Sequence, residues 1–179
     1  MITAKPLSSL SRQVHHLYDA SFPDNERIPY RIVTVPRPDR VFMVCFEEET
    51  MIGLYVMFFH EKTAYLSCLA VSETLRNKGY GSKILQMIDQ MYPDQLIVID
   101  IEQLDETAAN SEERKKRRQF CLRSGFEPSG IFDYFFHVHY KLLCLHGLIT
   151  REQYHALIRQ HWGPIAETAV CSGHGGQEE

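Results

Sequence analysis

The chain has 179 residues, 44% hydrophobic, 11% aromatic and 23% charged, which is enough for one packed core and too apolar for a wholly disordered protein. A formal net charge of −4 and a pI of about 6.1 argue against a nucleic-acid partner, which calls for a basic surplus to offset phosphates. No apolar run approaches the roughly 20 residues of a membrane-spanning helix, and residues 1–6 lack the apolar stretch of a secretory signal, so a cytoplasmic protein with no membrane partner is expected.

In chain order, residues 8–21 carry Leu10, Val14, Leu17 and Tyr18 at helical spacing, with Pro23 as a stop, which predicts an amphipathic first helix. Residues 22–30 then read as a turn leading into a short second helix. Three β-prone runs follow at 41–47, 51–60 and 62–71, an antiparallel meander. Residues 79–92 return to helical spacing, with Tyr80, Ile84, Leu85, Ile88 and Met91 on one side. Residues 95–102 form a nearly continuous apolar strand of the kind buried beside a parallel neighbour near a sheet centre. A charged helix over 110–124 ends at Gly125, two strand-like runs fill 131–145, and a last helix over 150–161 has Thr150 as N-cap with Glu152 and Gln153 beside it. Residues 171–179 are Gly-rich and polar, a loose tail. The elements amount to a mixed α/β fold around one sheet, a single domain over 1–170.

The five cysteines, Cys45, Cys68, Cys121, Cys144 and Cys171, form no CxxC pair and read as reduced core residues. The nine histidines show no HExxH spacing; His15-His16 reads as a helix pair and His137-x-His139 as a strand pair, so no metal is expected.

The stretch that carries chemistry is Leu69-Ala70-Val71 followed by Arg76-Asn77-Lys78-Gly79-Tyr80-Gly81-Ser82, a strand, a turn and a glycine-containing helix start. The first amides of a helix have no internal partners and point outward at its positive end, a setting for a diphosphate. Gly79 and Gly81 let the backbone approach such a ligand, and Arg76 and Lys78 add positive charge. The spacing is neither GxGxxG nor GxxxxGK[ST]. It is Arg-x-x-Gly-x-Gly, and here the sequence resembles the GNAT superfamily of N-acyltransferases over residues 41–136. A second segment, Phe120-Cys121-Leu122-Arg123-Ser124-Gly125-Phe126, is similar to that family's aromatic-rich helix end before Gly-Phe.

The resemblance implies a mostly antiparallel twisted sheet with flanking helices and one parallel strand pair at the coenzyme site. It implies acetyl-CoA as acyl donor, with the backbone of Leu69, Ala70 and Val71 pairing with the pantetheine arm and amides from Arg76 to Ser82 holding the pyrophosphate. The chain departs from the family in two places. Cys121 stands where many members carry a tyrosine that protonates the leaving thiolate; it is either that acid or a small buried core residue. Arg114 stands where an asparagine is common, with Asn110 one turn earlier; Asn110, Arg114, Arg117 and Cys121 share a helix face, so Asn110, Arg114 and Arg117 are coenzyme-facing candidates, or the run is a solvated face.

Acyl transfer to an amine needs a neutral nucleophile. Strand alternation puts Val98, Asp100 and Glu102 on one face, and Glu102, at the strand's C-terminal end, is either the general base or half of an ion pair with the next helix. Glu26 and Arg27, in the polar segment between the first two helices, either recognise substrate or cap the second helix. Tyr134, Phe135 and Phe136 line a pocket or fill core. The expected activity is N-acetyl transfer from acetyl-CoA to a primary amine in a ternary complex. The alternatives are transfer of a longer acyl group, a catalytically weakened acyl-CoA-binding sensor or partner-binding module, and, least supported, a Cys121 nucleophile. The apolar 131–158 region suits a homodimer.

Overall fold

A computed structural model describes residues 1–7, 11–22, 27–135 and 138–162. It resolves into two compact units, one comprising Met1–Phe59 with Tyr65–Asp94 and the other His60–Ala64 with the chain from Gln95 onward. The tail 171–179, with Cys171, lies outside the described residues, as do Glu26, Phe136 and His137.

The first unit contains β1 (Ile2–Pro6), α1 (Arg12–Ser21), α2 (Tyr30–Val33), β2 (Arg40–Glu47), most of β3 (Thr50–His60) and β4 (Thr63–Val71), a 3-10 turn (Glu73–Leu75) and α3 (Tyr80–Met91). Its strands lie in the order β1-β2-β3-β4, with β1–β2 and β2–β3 antiparallel. Sequence reasoning placed no strand before residue 41. β1 escaped it because five residues of sequence ITAKP are too short and too polar to show an alternation, and a proline is tolerated there because the strand lies at the edge of the order. The first helix begins at Arg12, residues 8–10 being outside the described set. α3 buries Ile84, Leu85 and Ile88, whereas Met91 is 44% exposed, so its apolar stripe is narrower than the spacing suggested.

Gly53 is required in β3. A Cβ there would meet the Ala70 carbonyl oxygen at 2.3 Å, closer than any side chain permits, so β3 and β4 approach through a bare backbone. The pairing of β2 with β3 shifts register between Cys45 and Phe46, and Cys45 lies opposite this glycine, a bulge of the kind that bends a strand locally.

The second unit contains β5 (Leu96–Glu102), α4 (Ser111–Arg123), β6 (Glu127–Phe135), β7 (Val138–Leu145) and α5 (Arg151–Trp162), in the strand order β5-β7-β6 with both pairs antiparallel. Residues 60–64 belong to this unit: the Leu96 amide donates to the Lys62 carbonyl at 2.9 Å, so β5 starts beside the residues that enter β4. α4 ends as the sequence suggested. Gly125 has φ +90°, its amide donates to Leu122, and the Phe126 amide donates to Cys121, the paired bonds of a glycine-terminated helix. α5 begins with a reciprocal cap, in which the Gln153 amide donates to Thr150 Oγ1 at 3.2 Å and the Thr150 amide donates to Gln153 Oε1 at 2.9 Å. Cys45, Cys68, Cys121 and Cys144 are all buried, and none of the four is in a disulfide. Among the described residues no helix is long and apolar enough to cross a membrane.

Candidate active site

In the first unit, the end of β4 splits its backbone groups between two sides. The Ala70 carbonyl faces Gly53 and the Ser72 amide donates to the Ile52 carbonyl at 2.9 Å. Backbone groups alternate along a strand, so Ala70 and Ser72 turn toward β3 while Leu69 and Val71 present theirs to the opposite side.

The loop after the 3-10 turn reverses through Asn77 (φ +61°) and Gly79 (φ +82°). Asparagine is among the few residues that tolerate this region, and at Gly79 an added Cβ would meet nothing within 4 Å, so the glycine serves backbone conformation and leaves open space in front of the helix. α3 starts without a side-chain cap and with no acid in its first turn. The Lys83 amide makes the bond to the Gly79 carbonyl at 3.2 Å, which leaves the amides of Tyr80, Gly81 and Ser82 without helical partners. Lys78 is exposed beside them.

The other side chains here are anchored. The Tyr80 hydroxyl donates to Glu47 Oε2 at 2.6 Å, Lys83 lies 3.6 Å from Glu47 Oε1, and Lys83 also sits over the Tyr80 ring. The Tyr80 hydroxyl, with help from Lys83, holds the Glu47 carboxyl below its ordinary range. Arg76 Nε donates to the Val71 carbonyl at 3.2 Å and its Nη2 to Ser21 Oγ at 3.5 Å, while its amide donates to Glu73. Arg76 therefore braces the loop.

In the second unit, Glu102 is 6% exposed and fully engaged. Asn110 Nδ2 donates to Oε1 at 2.9 Å, Arg114 Nη2 lies 3.3 Å from the same oxygen, and Arg117 Nη1 donates to Oε2. Arg114 also donates to Asn110 Oδ1 at 2.8 Å and to the Gln103 carbonyl at 2.9 Å. The spacing of Asn110, Arg114 and Arg117 thus does bring them together, around a carboxylate of their own chain, and Glu102 is ion-paired with the following helix. Cys121, on the same helix, is fully buried, and burial pushes its thiol up to about 11, opposed by the nearby Arg117 guanidinium.

Arg27 is a cap, though of the first helix and not the second. Its guanidinium donates to the Phe22 carbonyl at 2.9 Å and lies 3.3 Å from Asp19, a cation at the negative end of α1. Sequence reasoning missed a buried pair in the second unit, Asp133 with Tyr154, whose hydroxyl donates to Asp133 Oδ2 at 2.7 Å. Burial, reinforced by Asp100 and Asp133, raises that hydroxyl well above its ordinary range. Nothing in the spacing of residues 21 apart could have joined them. Among the described residues no group of three or more His, Cys, Asp or Glu could hold a metal ion.

The profile of the acetyltransferase (GNAT) family matches residues 11–126, which span the α3 start and the Glu102 cluster. The chain belongs to the GNAT acetyltransferase family. No curated protein matches its sequence. Solved structures with the same fold include a GNAT-family acetyltransferase from Bacteroides thetaiotaomicron, 17% identical with a TM-score of 0.72 over 92% of this chain and 98% of that one. A Bacillus subtilis acetyltransferase in complex with CoA is 15% identical with a TM-score of 0.61, over 83% of this chain and 100% of that one. An Elizabethkingia anophelis GNAT acetyltransferase with acetyl-CoA bound is 14% identical with a TM-score of 0.55, over 80% and 97%. The mixed α/β fold with a mostly antiparallel sheet, expected from the motifs, is the fold of this family member.

Proposed function

We propose that the protein transfers the acetyl group of acetyl-CoA to a primary amine by direct attack in a ternary complex. The observation that carries the reading is the start of α3 in a chain of this family. Three amides without helical partners, a left-handed glycine with open space before it and the exposed Lys78 suit a diphosphate at the positive end of a helix. The backbone of Leu69 and Val71 suits the amide groups of a pantetheine arm, and an amide near Val71 would polarise the thioester carbonyl as negative charge develops on its oxygen. The neutral amine then attacks that carbon, the carbon–sulfur bond breaks, and the thiolate leaves as the new nitrogen sheds its proton.

Glu102 is the proposed proton acceptor, and its surroundings set the condition. Both oxygens already accept hydrogen bonds; Oε1 faces Asn110 and Arg114, and Oε2 faces Arg117, whose 47% exposure against 14% for Arg114 makes Oε2 the more accessible oxygen for a proton. Cys121 is a protonated thiol at neutral pH, and burial raises it further, to about 11. This reading treats residues 1–170 as one cytoplasmic acyltransferase domain whose partners are acetyl-CoA and an amine-bearing substrate; a homodimer would draw on the apolar 131–158 region.

A second reading, an acyl-CoA-binding sensor, is favoured by one observation: both catalytic candidates are structurally occupied, Glu102 by arginines and Cys121 by the core. Calorimetric titration with acetyl-CoA of the wild type and of a Gly79→Val/Gly81→Val variant, followed by a thiol-release assay over a panel of amines, separates the two. Binding by the wild type alone with turnover on an amine supports transfer. Binding without turnover on any amine supports the sensor, and no binding by folded wild type removes both.

A further inference from the structure

Arg76 has the charge and position of a phosphate ligand, yet its guanidinium is turned elsewhere. One edge holds the carbonyl of Val71, the last residue of β4, and the other reaches Ser21, the last residue of α1. A planar guanidinium can join two acceptors in fixed directions, which an ammonium cannot. The same helix is pinned in its middle by Tyr18, fully buried, whose hydroxyl donates to the Ile28 carbonyl at 2.8 Å and also hydrogen-bonds with Cys68 of β4. Tyr18 is thus a fixed pivot on the strand, and the exposed Arg76 bridge holds the helix end beyond it. Arg27 caps the same helix end through the Phe22 carbonyl.

We propose that Arg76 is a positioning residue that couples the coenzyme loop to the end of α1, so that acetyl-CoA binding at residues 78–82 orders the segment 19–22 and 27–30. The inference rests on the acetyl-CoA reading above and deepens it. A ligand on the α3 amides fixes the loop 76–79; Arg76 passes that constraint to Ser21, and restricting one segment lowers the cost of ordering the other, which is a coupling free energy between the two. The coenzyme itself is held by amides, so Arg76 contributes mainly to what the far end does.

Hydrogen exchange of the whole chain, measured with and without acetyl-CoA, tests this. In the wild type, acetyl-CoA slows exchange at 76–82 and also at 19–22 and 27–30. In Arg76→Ala and in Ser21→Ala the slowing at 76–82 persists and the slowing at α1 is lost, with coenzyme affinity reduced no more than about threefold. Arg76→Lys, which keeps charge without the fork, behaves as Arg76→Ala. Retention of the α1 response in either alanine variant overturns the coupling, as does a loss of affinity of more than about tenfold in Arg76→Ala that Arg76→Lys restores, the result a direct phosphate contact predicts. Absence of acetyl-CoA binding by folded wild type overturns the parent reading and this one together, whereas binding with an unaltered α1 overturns this one alone.

Discussion

The starts of α3 and α4 are two helix N-termini of opposite design. The first has one exposed lysine beside it, no acid in its first turn and no side-chain cap. The second carries far more charge, with Glu112 and Glu113 in its first turn and Arg114 and Arg117 below, yet its arginines converge on the buried Glu102. Counting cations would have chosen α4 as the anion site. Availability chooses α3, because a donor already bonded to a carboxylate must break that bond before it serves a ligand, whereas a bare amide does not.

Breaking the closed end should cost most. Glu102→Ala leaves two guanidiniums facing a vacated, largely buried position, and a loss of about 3–5 kcal/mol in urea-induced unfolding is expected; Arg114→Met should cost more than Arg117→Met, in line with their exposures of 14% and 47%. Equal effects of the two arginines would show that burial does not set the strength of this cluster. At the open end the expected loss is in binding and not in folding. Gly79→Val/Gly81→Val should weaken acetyl-CoA by about 100-fold in calorimetry, the scale of two lost charge-assisted hydrogen bonds, and Lys78→Ala by a smaller factor of about three.

Between these lies Gly53→Ala, where the new methyl meets the Ala70 carbonyl. A destabilisation of about 1–3 kcal/mol is expected, together with weaker acetyl-CoA binding because the displaced strand carries Leu69 and Val71. A destabilised variant with unchanged coenzyme affinity would remove the end of β4 from the binding surface. The smallest effect concerns pH. The Cys121 thiol is raised from 9.0 to about 11 in the folded protein, so the folded state keeps a proton that the unfolded chain releases. That contribution to stability is complete below pH 9 and is lost as pH rises through about 11. Cys121→Ala should flatten the decline of Tm over this window.

The same contrast explains what could be read from the sequence. The α3 start was legible because its chemistry is local: a strand, two glycines and a helix in consecutive residues, with Gly79 in the left-handed conformation that the residue type suggests. The α5 cap, the glycine end of α4 and the meander were legible for the same reason. At α4 the helical spacing correctly grouped Asn110, Arg114 and Arg117, but what they face is decided by tertiary placement, and Glu102 became an ion-pair partner only when β5 and α4 were set beside each other. β1 and the Asp133–Tyr154 pair were invisible because strand pairing and a bond between residues far apart in sequence leave no periodic mark. Asn77 carried a signal that went unused, since asparagine before a helix is a common sign of positive φ.

In the first unit β1 stands at the outer end of the strand order, and in the second unit β6 does; both are poor templates for a further strand. β1 carries Lys5 and ends at Pro6, while β6 contains Pro128 and loses register before Phe132, with Gly130 at φ +76° between them. Proline, charge and irregularity at an open edge obstruct its extension by a neighbouring chain. Extension by a neighbouring strand is therefore disfavoured at β1 in the first unit and at β6 in the second, an obstacle to edge-to-edge pairing in a chain with a long apolar β3.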